Sequence, residues 1–235
     1  EDGETEIMKV TMLWYMPIDP YVAVATAMRV CYSPEPVNTI IREVQKTDFA
    51  CKHGQEGGET CISYKQCLVK KCMRDKTYDC LEHVVYSFHI EGVSRTFTHQ
   101  LVRHRLASYD QLSQRFSDSR KVDAIAPPSI MNNDAAMKIY IDTLTGARAA
   151  YDDLLALAIP KQDARFVLPE ATETKIMVTV NMRSLFHILK LRLPKEEGGI
   201  GGAQWEIAKV FGEIRDLVYP TCPDVWGQLG KVEYA

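Results

Sequence analysis

Arg103-His104-Arg105 places three cationic or cationisable side chains in a row, and Gln111, Ser113 and Arg115 follow at alternate positions. A guanidinium fork matches phosphate oxygens and keeps its charge at physiological pH. An amide, a hydroxyl and a guanidinium on one side of an extended stretch suit a phosphate joined to a polar ring. The chemistry expected of residues 100–115 is therefore the holding of at least one phosphorylated ligand. Taken alone, Arg-His-Arg also reads as a solvated helix end favoured by the macrodipole. The polar set that follows is what a plain solvated surface does not need.

The elements that must position these groups can be read from periodicity. Val93–Arg105 suits a helix with Phe97 and Leu101 on one face. At about 100° per residue, Gln100, Arg103 and His104 would share a face and Arg105 would point elsewhere, so the two arginines would serve different groups. Residues 106–130 read as irregular, ended by Pro127-Pro128. Strands are expected at Glu6–Tyr15, His83–Ile90 and Lys175–Val180. Helices are expected at Tyr21–Arg29, Cys61–Met73, 133–158, around Asp163–Val167, and at Arg183–Arg192 and Gln204–Val218. The helix over 133–158 carries an apolar stripe through Met137, Tyr140, Ile141, Leu144, Ala147, Tyr151 and Leu155. Residues 50–60 and the glycine-rich 193–202 read as loops, the second a flexible one. Strands and helices intermingle without βαβ alternation. This predicts one α+β domain over residues 1–235, with a mainly antiparallel sheet and several helices. No G-x-G-x-x-G follows a strand and no Walker loop is present, so no Rossmann fold is expected and a flavin or nucleotide would be held by side chains.

Charge and composition narrow the function classes. A net charge of −3 and a pI of about 6.1 argue against a chain-wide basic surface for nucleic acid, so an anion site must be a local cluster. No apolar run reaches the length of a transmembrane helix. The start, Glu-Asp-Gly-Glu-Thr-Glu, lacks an initiator Met and the parts of a secretion signal, so a removed natural start and a cytoplasmic protein are expected. Of seven cysteines, five (Cys51, Cys61, Cys67, Cys72 and Cys80) crowd one region near His53. A metal site is one reading. Irregular spacing without C-x-x-C favours the other, reduced thiols packed as small hydrophobes, and no metal is expected.

Arg103-His104-Arg105, seven residues and then Ser113 resemble the signature of the flavin-dependent thymidylate synthases. The flanks agree in order. They are Ala27 to Ser33; Glu82-His83, read as opening a strand; Gly92 to Arg95; Thr98 to Val102; Ser108-Tyr109; Val180 to Leu185; Leu191-Arg192; and Ala203-Gln204-Trp205-Glu206. The resemblance spans roughly residues 8–220. It implies a homotetramer with shared active sites that converts dUMP to dTMP. Methylenetetrahydrofolate would donate the carbon, and FAD reduced by NADPH would carry the hydride. By the same similarity Gln100, Arg103, Gln111, Leu112, Ser113, Gln114, Arg115, Arg165 and Arg192 sit at dUMP positions. Arg103, His104, Arg105, Gln111, Asn181, Arg183 and His187 sit at FAD positions, with Arg103 between the ligands. Arg192 matches the arginine near the pyrimidine N3 edge. A guanidinium is a poor proton acceptor, so its implied role is electrostatic, stabilising a deprotonated or enolate-like ring. Thr77 stands where the family often has a histidine touching flavin or folate. Asp79 stands where a Ser or Thr is usual, and Gly202 where a His or Arg is common. Two alternatives belong to this reading: a relative that methylates a different pyrimidine nucleotide, and a single-strand nucleic-acid module stacking bases on Tyr109 and Phe116.

Overall fold

The computed structural model describes residues 8–46, 61–121 and 123–231. In chain order the elements are β1 (Lys9–Tyr15), α1 (Pro20–Val30), α2 (Val37–Gln45), α3 (Tyr64–Arg74), β2 (Val85–Ser94), α4 (Arg95–Leu101), β3 (Ala107–Gln111), α5 (Pro128–Met131), α6 (Asp134–Ala156), α7 (Lys161–Ala164), β4 (Glu173–Asn181), α8 (Met182–Arg192), α9 (Trp205–Val218) and α10 (Pro223–Trp226). Short 3-10 turns fill the gaps, among them Tyr78–His83 and Lys195–Glu197. The strands form one antiparallel four-stranded sheet in the order β1-β2-β4-β3, giving an α+β architecture. The chain clusters into two compact units, one of Glu1–Thr11 with His89–Val178 and one of Met12–Phe88 with Thr179–Ala235.

The sheet follows its sequence pattern. Along β4, Thr174, Ile176, Val178 and Val180 are buried and their neighbours are not, the period of two that a half-covered strand requires. β2, second in the sheet, is buried almost throughout, and its Ser87 hydroxyl is satisfied by Thr179 at 2.6 Å. In the unit containing Met12–Phe88, Val22 and Ala25 of α1 pack with Ile40 and Val44 of α2, and Tyr64 and Leu68 of α3 close the cluster. Trp226 packs against Tyr86 and Phe186 at 5.9 and 6.2 Å between ring centroids. Asp224 ties α10 to that core by accepting from the Tyr21 hydroxyl at 2.6 Å and the Gln66 amide at 3.0 Å.

Five expectations are corrected. The helix expected over Val93–Arg105 is confined to Arg95–Leu101, because Val93 and Ser94 finish β2 and the chain turns at Val102. Glu82-His83 does not open a strand but closes the 3-10 turn before β2. The stretch 106–130 is not wholly irregular, since β3 occupies Ala107–Gln111 as the last strand of the sheet. Residues 193–202 are hydrogen-bonded rather than loose. Gly199 N–H donates to the Pro194 carbonyl at 2.9 Å, and Ile200 N–H to the Lys190 carbonyl at 2.8 Å. The expected loop at 50–60, with Cys51 and His53, lies outside the described residues. Cys61 precedes α3 rather than lying in it. Of the stripe on α6, only Tyr151 is buried.

Candidate active site

The unit containing His89–Val178 holds the signature stretch. Ser94 caps α4 by accepting from the Phe97 N–H at 3.1 Å, and Phe97 and Leu101 anchor the helix in the core. The helix ends at Leu101, whose carbonyl is reached by a donor from another element. The Tyr109 hydroxyl donates to the carbonyls of Leu101 (3.1 Å) and His104 (2.7 Å). Arg103 therefore lies in a turn and Arg105 beyond it, both exposed, while Gln100 is on the helix and His104 is half-buried. The expected common helical face of Gln100, Arg103 and His104 does not exist. Neither Arg103 nor Arg105 has a hydrogen-bond or ion-pair partner among the described residues.

The second half of the stretch is fixed from three sides. Leu112 donates its N–H to the Lys175 carbonyl of β4 at 3.0 Å, and its own carbonyl accepts from the Arg95 guanidinium at 2.7 Å. The Gln111 side-chain amide donates to the hydroxyls of Thr98 (2.9 Å) and Thr174 (3.3 Å). Only Gln111 belongs to a strand. Ser113 opens a turn over Gln114, Arg115 and Phe116, and its carbonyl accepts from the Ser117 N–H at 2.9 Å and hydroxyl at 2.6 Å. The extended alternation of Gln111, Ser113 and Arg115 thus breaks after Leu112. Arg115 is exposed and stands 5.5 Å from the centroid of the Phe116 ring. Arg165 follows α7, half-buried, and donates to the Gln162 carbonyl at 3.1 Å, with no ion pair among the described residues.

Sequence reasoning gave no role to Arg95, Thr98, Thr174 or the Tyr109 hydroxyl. Burial, with Arg165 nearby, holds the Arg95 guanidinium below its ordinary range, and its Nε is buried without a hydrogen-bond partner among the described residues. The available signal was Ser94-Arg95 itself: a cap followed by a charge in a segment otherwise apolar enough to be buried. Burial pushes the Tyr109 phenol up to about 12, so it stays a donor at neutral pH.

The other unit holds α8. Asn181 caps it by accepting from the Ser184 N–H at 2.8 Å. Arg183 and His187 stand one turn apart and exposed, on a common face as expected. Arg183 pairs with Glu82 at 2.5 Å. Arg192 is the last helical residue and is half-buried. Its position depends on the 193–202 segment, where a Cβ on Gly199 would lie 1.9 Å from the Leu193 carbonyl oxygen. Burial raises the thiols of Cys72, Cys80 and Cys222, to about 11, about 12 and about 12. These three are protonated and unsuited to nucleophilic attack near neutrality. No group of three or more metal-ligating side chains occurs among the described residues. No described helix is long and apolar enough to cross a membrane.

The arrangement can hold anions at exposed guanidiniums and a polar ring edge at positioned amides and hydroxyls. Residues 11–224 match the family model of the thymidylate synthase complementing protein. Two curated relatives, from Geobacter sulfurreducens and Clostridium tetani, are both named flavin-dependent thymidylate synthase. The first is 34% identical over 95% of this chain and 87% of its own, and the second 31% identical over 97% and 89%. A third of the same name, from Nitratidesulfovibrio vulgaris, is 40% identical over 64% of this chain and 62% of its own.

Proposed function

Because this chain belongs to the thymidylate synthase complementing protein family, we propose that it is a flavin-dependent thymidylate synthase, reductively methylating dUMP to dTMP. Methylenetetrahydrofolate is the carbon donor, and FAD, reduced by NADPH, is the cofactor. The observation that carries the site assignment is the stretch 103–115, with its backbone tied down while Arg103 and Arg105 have no partner among the described residues.

Gln100, Arg103, Gln111 to Arg115, Arg165 and Arg192 hold dUMP. Arg115 and Arg165 supply positive charge for its phosphate, and Ser113 and Gln114 supply neutral donors. Gln111 is oriented by Thr98 and Thr174 before any ligand arrives. Arg103, His104, Arg105, Gln111, Asn181, Arg183 and His187 hold FAD. The donor set fits that group, because guanidiniums at Arg103, Arg105 and Arg183 can neutralise a diphosphate and the His187 imidazole can meet a ring. When bound, the reduced flavin supplies the hydride. Arg192 then stabilises negative charge on the pyrimidine as it attacks the one-carbon unit, and cannot itself serve as base. The protonated state of Cys72, Cys80 and Cys222 supports a route that needs no thiolate.

The whole chain acts as one catalytic domain, and it assembles as a homotetramer. The groove of about 510 Å³ beside α6 supports that assembly, because Met137, Ile141 and Leu144 line it and Ile139 nearby is exposed. Arg103 then contacts both ligands. Nucleic acid is not the partner: a net charge of −3 gives the chain no overall basic surface for it. Neither is a membrane, and the enzyme works in the cytoplasm. Purified protein should show flavin absorbance or bind added FAD and form dTMP from dUMP with methylenetetrahydrofolate and NADPH. Protein that binds no FAD and makes no dTMP contradicts the proposal, and methyl transfer to another pyrimidine nucleotide in place of dUMP would redirect it.

A further inference from the structure

Two buried thiols take no part in the function proposed above, and they meet across a closed turn. Cys72 is on the last turn of α3 and Cys80 on the 3-10 turn that follows. The Thr77 N–H donates to the Cys72 carbonyl at 3.1 Å. The Cys72 thiol donates to the Thr77 carbonyl at 3.1 Å, and the Cys80 N–H reaches that same carbonyl at 3.4 Å. The Cys80 side chain hydrogen-bonds the Cys72 thiol in turn. Lys76 completes the reversal with a left-handed backbone, φ +58°, at a helix end where glycine is usual. Packing as small hydrophobes would account for either thiol alone, but it does not require two of them in contact.

We propose that Cys72 and Cys80 are a redox-modification site, at which hydrogen peroxide closes a disulfide across the turn that carries Glu82. Cys72 is fully buried and Cys80 is 5% exposed, so a small oxidant meets Cys80 first. Its sulfur takes one peroxide oxygen and becomes a sulfenic acid, releasing water. The Cys72 sulfur then attacks it. The S–S bond forms, the S–O bond breaks, and the hydroxide leaves with the Cys72 proton as a second water. Two thiols are oxidised and one peroxide is reduced. Burial raises both thiols, so closure takes on the order of minutes to hours and plays no part in turnover. In a reducing compartment such a disulfide is transient and reports oxidation. Drawing the sulfurs to about 2.05 Å shifts the turn toward α3. That disturbs the hold of Glu82, two residues past Cys80, on Arg183 of α8. The effect on FAD rests on the function proposed above, and the disulfide does not.

Reduced, desalted protein is treated with hydrogen peroxide, its remaining thiols are alkylated after denaturation, and its tryptic peptides are mapped by mass. Cleavage after Lys71, Arg74 and Lys76 puts the two cysteines on separate peptides, 72–74 and 77–95. The expected product is these two peptides joined. FAD affinity, read by flavin fluorescence, should fall about fivefold or more and return with dithiothreitol. Cys80→Ser should bind FAD as the reduced wild type does and keep that affinity after peroxide. If it fails to fold, Cys72→Ala takes its place. Recovery of both cysteines alkylated, Cys80 carried on to the sulfinic acid, or joined peptides with unchanged FAD affinity overturns the proposal. Reduced wild type that binds no FAD contradicts the underlying function instead, and the peptide map alone then decides the disulfide.

Discussion

In the stretch 103–115 the backbone is pinned and the charged heads of Arg103 and Arg105 have no partner among the described residues. In the block 181–202 Arg183 is paired with Glu82 and Arg192 is half-buried, and the backbone around them is pinned as well. Asn181 caps the start of α8, Arg183 pairs with Glu82, and the chain after Arg192 folds back through Ile200 to the Lys190 carbonyl. Exposed arginines on a fixed turn can swing onto phosphates and lose rotamer freedom only on binding. A half-buried arginine at the end of a doubly tied helix is placed beforehand, as a group aimed at developing charge must be. On the proposed reading, the first region captures and the second acts.

Four substitutions would break or sharpen that contrast, in falling order of effect. Arg192→Ala should cut turnover about a hundredfold to a thousandfold while FAD absorbance stays, since it removes one stabiliser of transition-state charge. Steady-state rates beside a flavin spectrum measure this, and near-normal turnover would remove Arg192 from its acting role. Gly199→Ala should destabilise the protein by roughly 2–4 kcal/mol in urea unfolding, because its Cβ would overlap the Leu193 carbonyl, and turnover should fall with it. Arg95→Met should raise KM for dUMP roughly tenfold to a hundredfold, by freeing the Leu112 carbonyl beside Ser113. An unchanged KM would mean that β3 and β4 alone hold the segment.

Tyr109→Phe is the smallest, costing about 1 kcal/mol through the lost hydrogen bonds to Leu101 and His104. Its pH signature is specific. Burial raises this phenol to about 12, above the roughly 10 of an unfolded chain. The contribution is therefore complete below about pH 10 and lost as pH rises through about 12. Alkaline unfolding curves of the wild type and Tyr109→Phe should converge over that window, and curves that stay parallel would show that Tyr109 does not control the turn.

These same contacts explain which parts were legible in the sequence. β4 and α8 were, because period-two and helical apolar patterns are local and strong in Lys175–Val180 and Arg183–Arg192. The end of α4 was not. Its last carbonyl is met by a hydroxyl from Tyr109, several residues beyond the helix and on another element. β3 escaped because it is only five residues long and its alternation rests on two apolar residues, Ala107 and Tyr109, too few to stand out in a polar stretch. The glycine run at 198–202 reads as flexible by composition. Its order comes from carbonyls of Lys190, Leu193 and Pro194 and from the left-handed backbone of Gly198 (φ +91°), none of which composition reveals. At the site, the signature marked the charges proposed to meet ligand but not Arg95, whose guanidinium donates to a backbone carbonyl.

The central claim, that this chain couples a flavin to dUMP, is tested most directly in a half-reaction. FAD-loaded protein is reduced anaerobically, freed of excess reductant, and mixed with methylenetetrahydrofolate with and without dUMP. The account predicts flavin reoxidation that requires dUMP and yields one dTMP per flavin oxidised. Reoxidation at the same rate without dUMP, or with no dTMP formed, would contradict it.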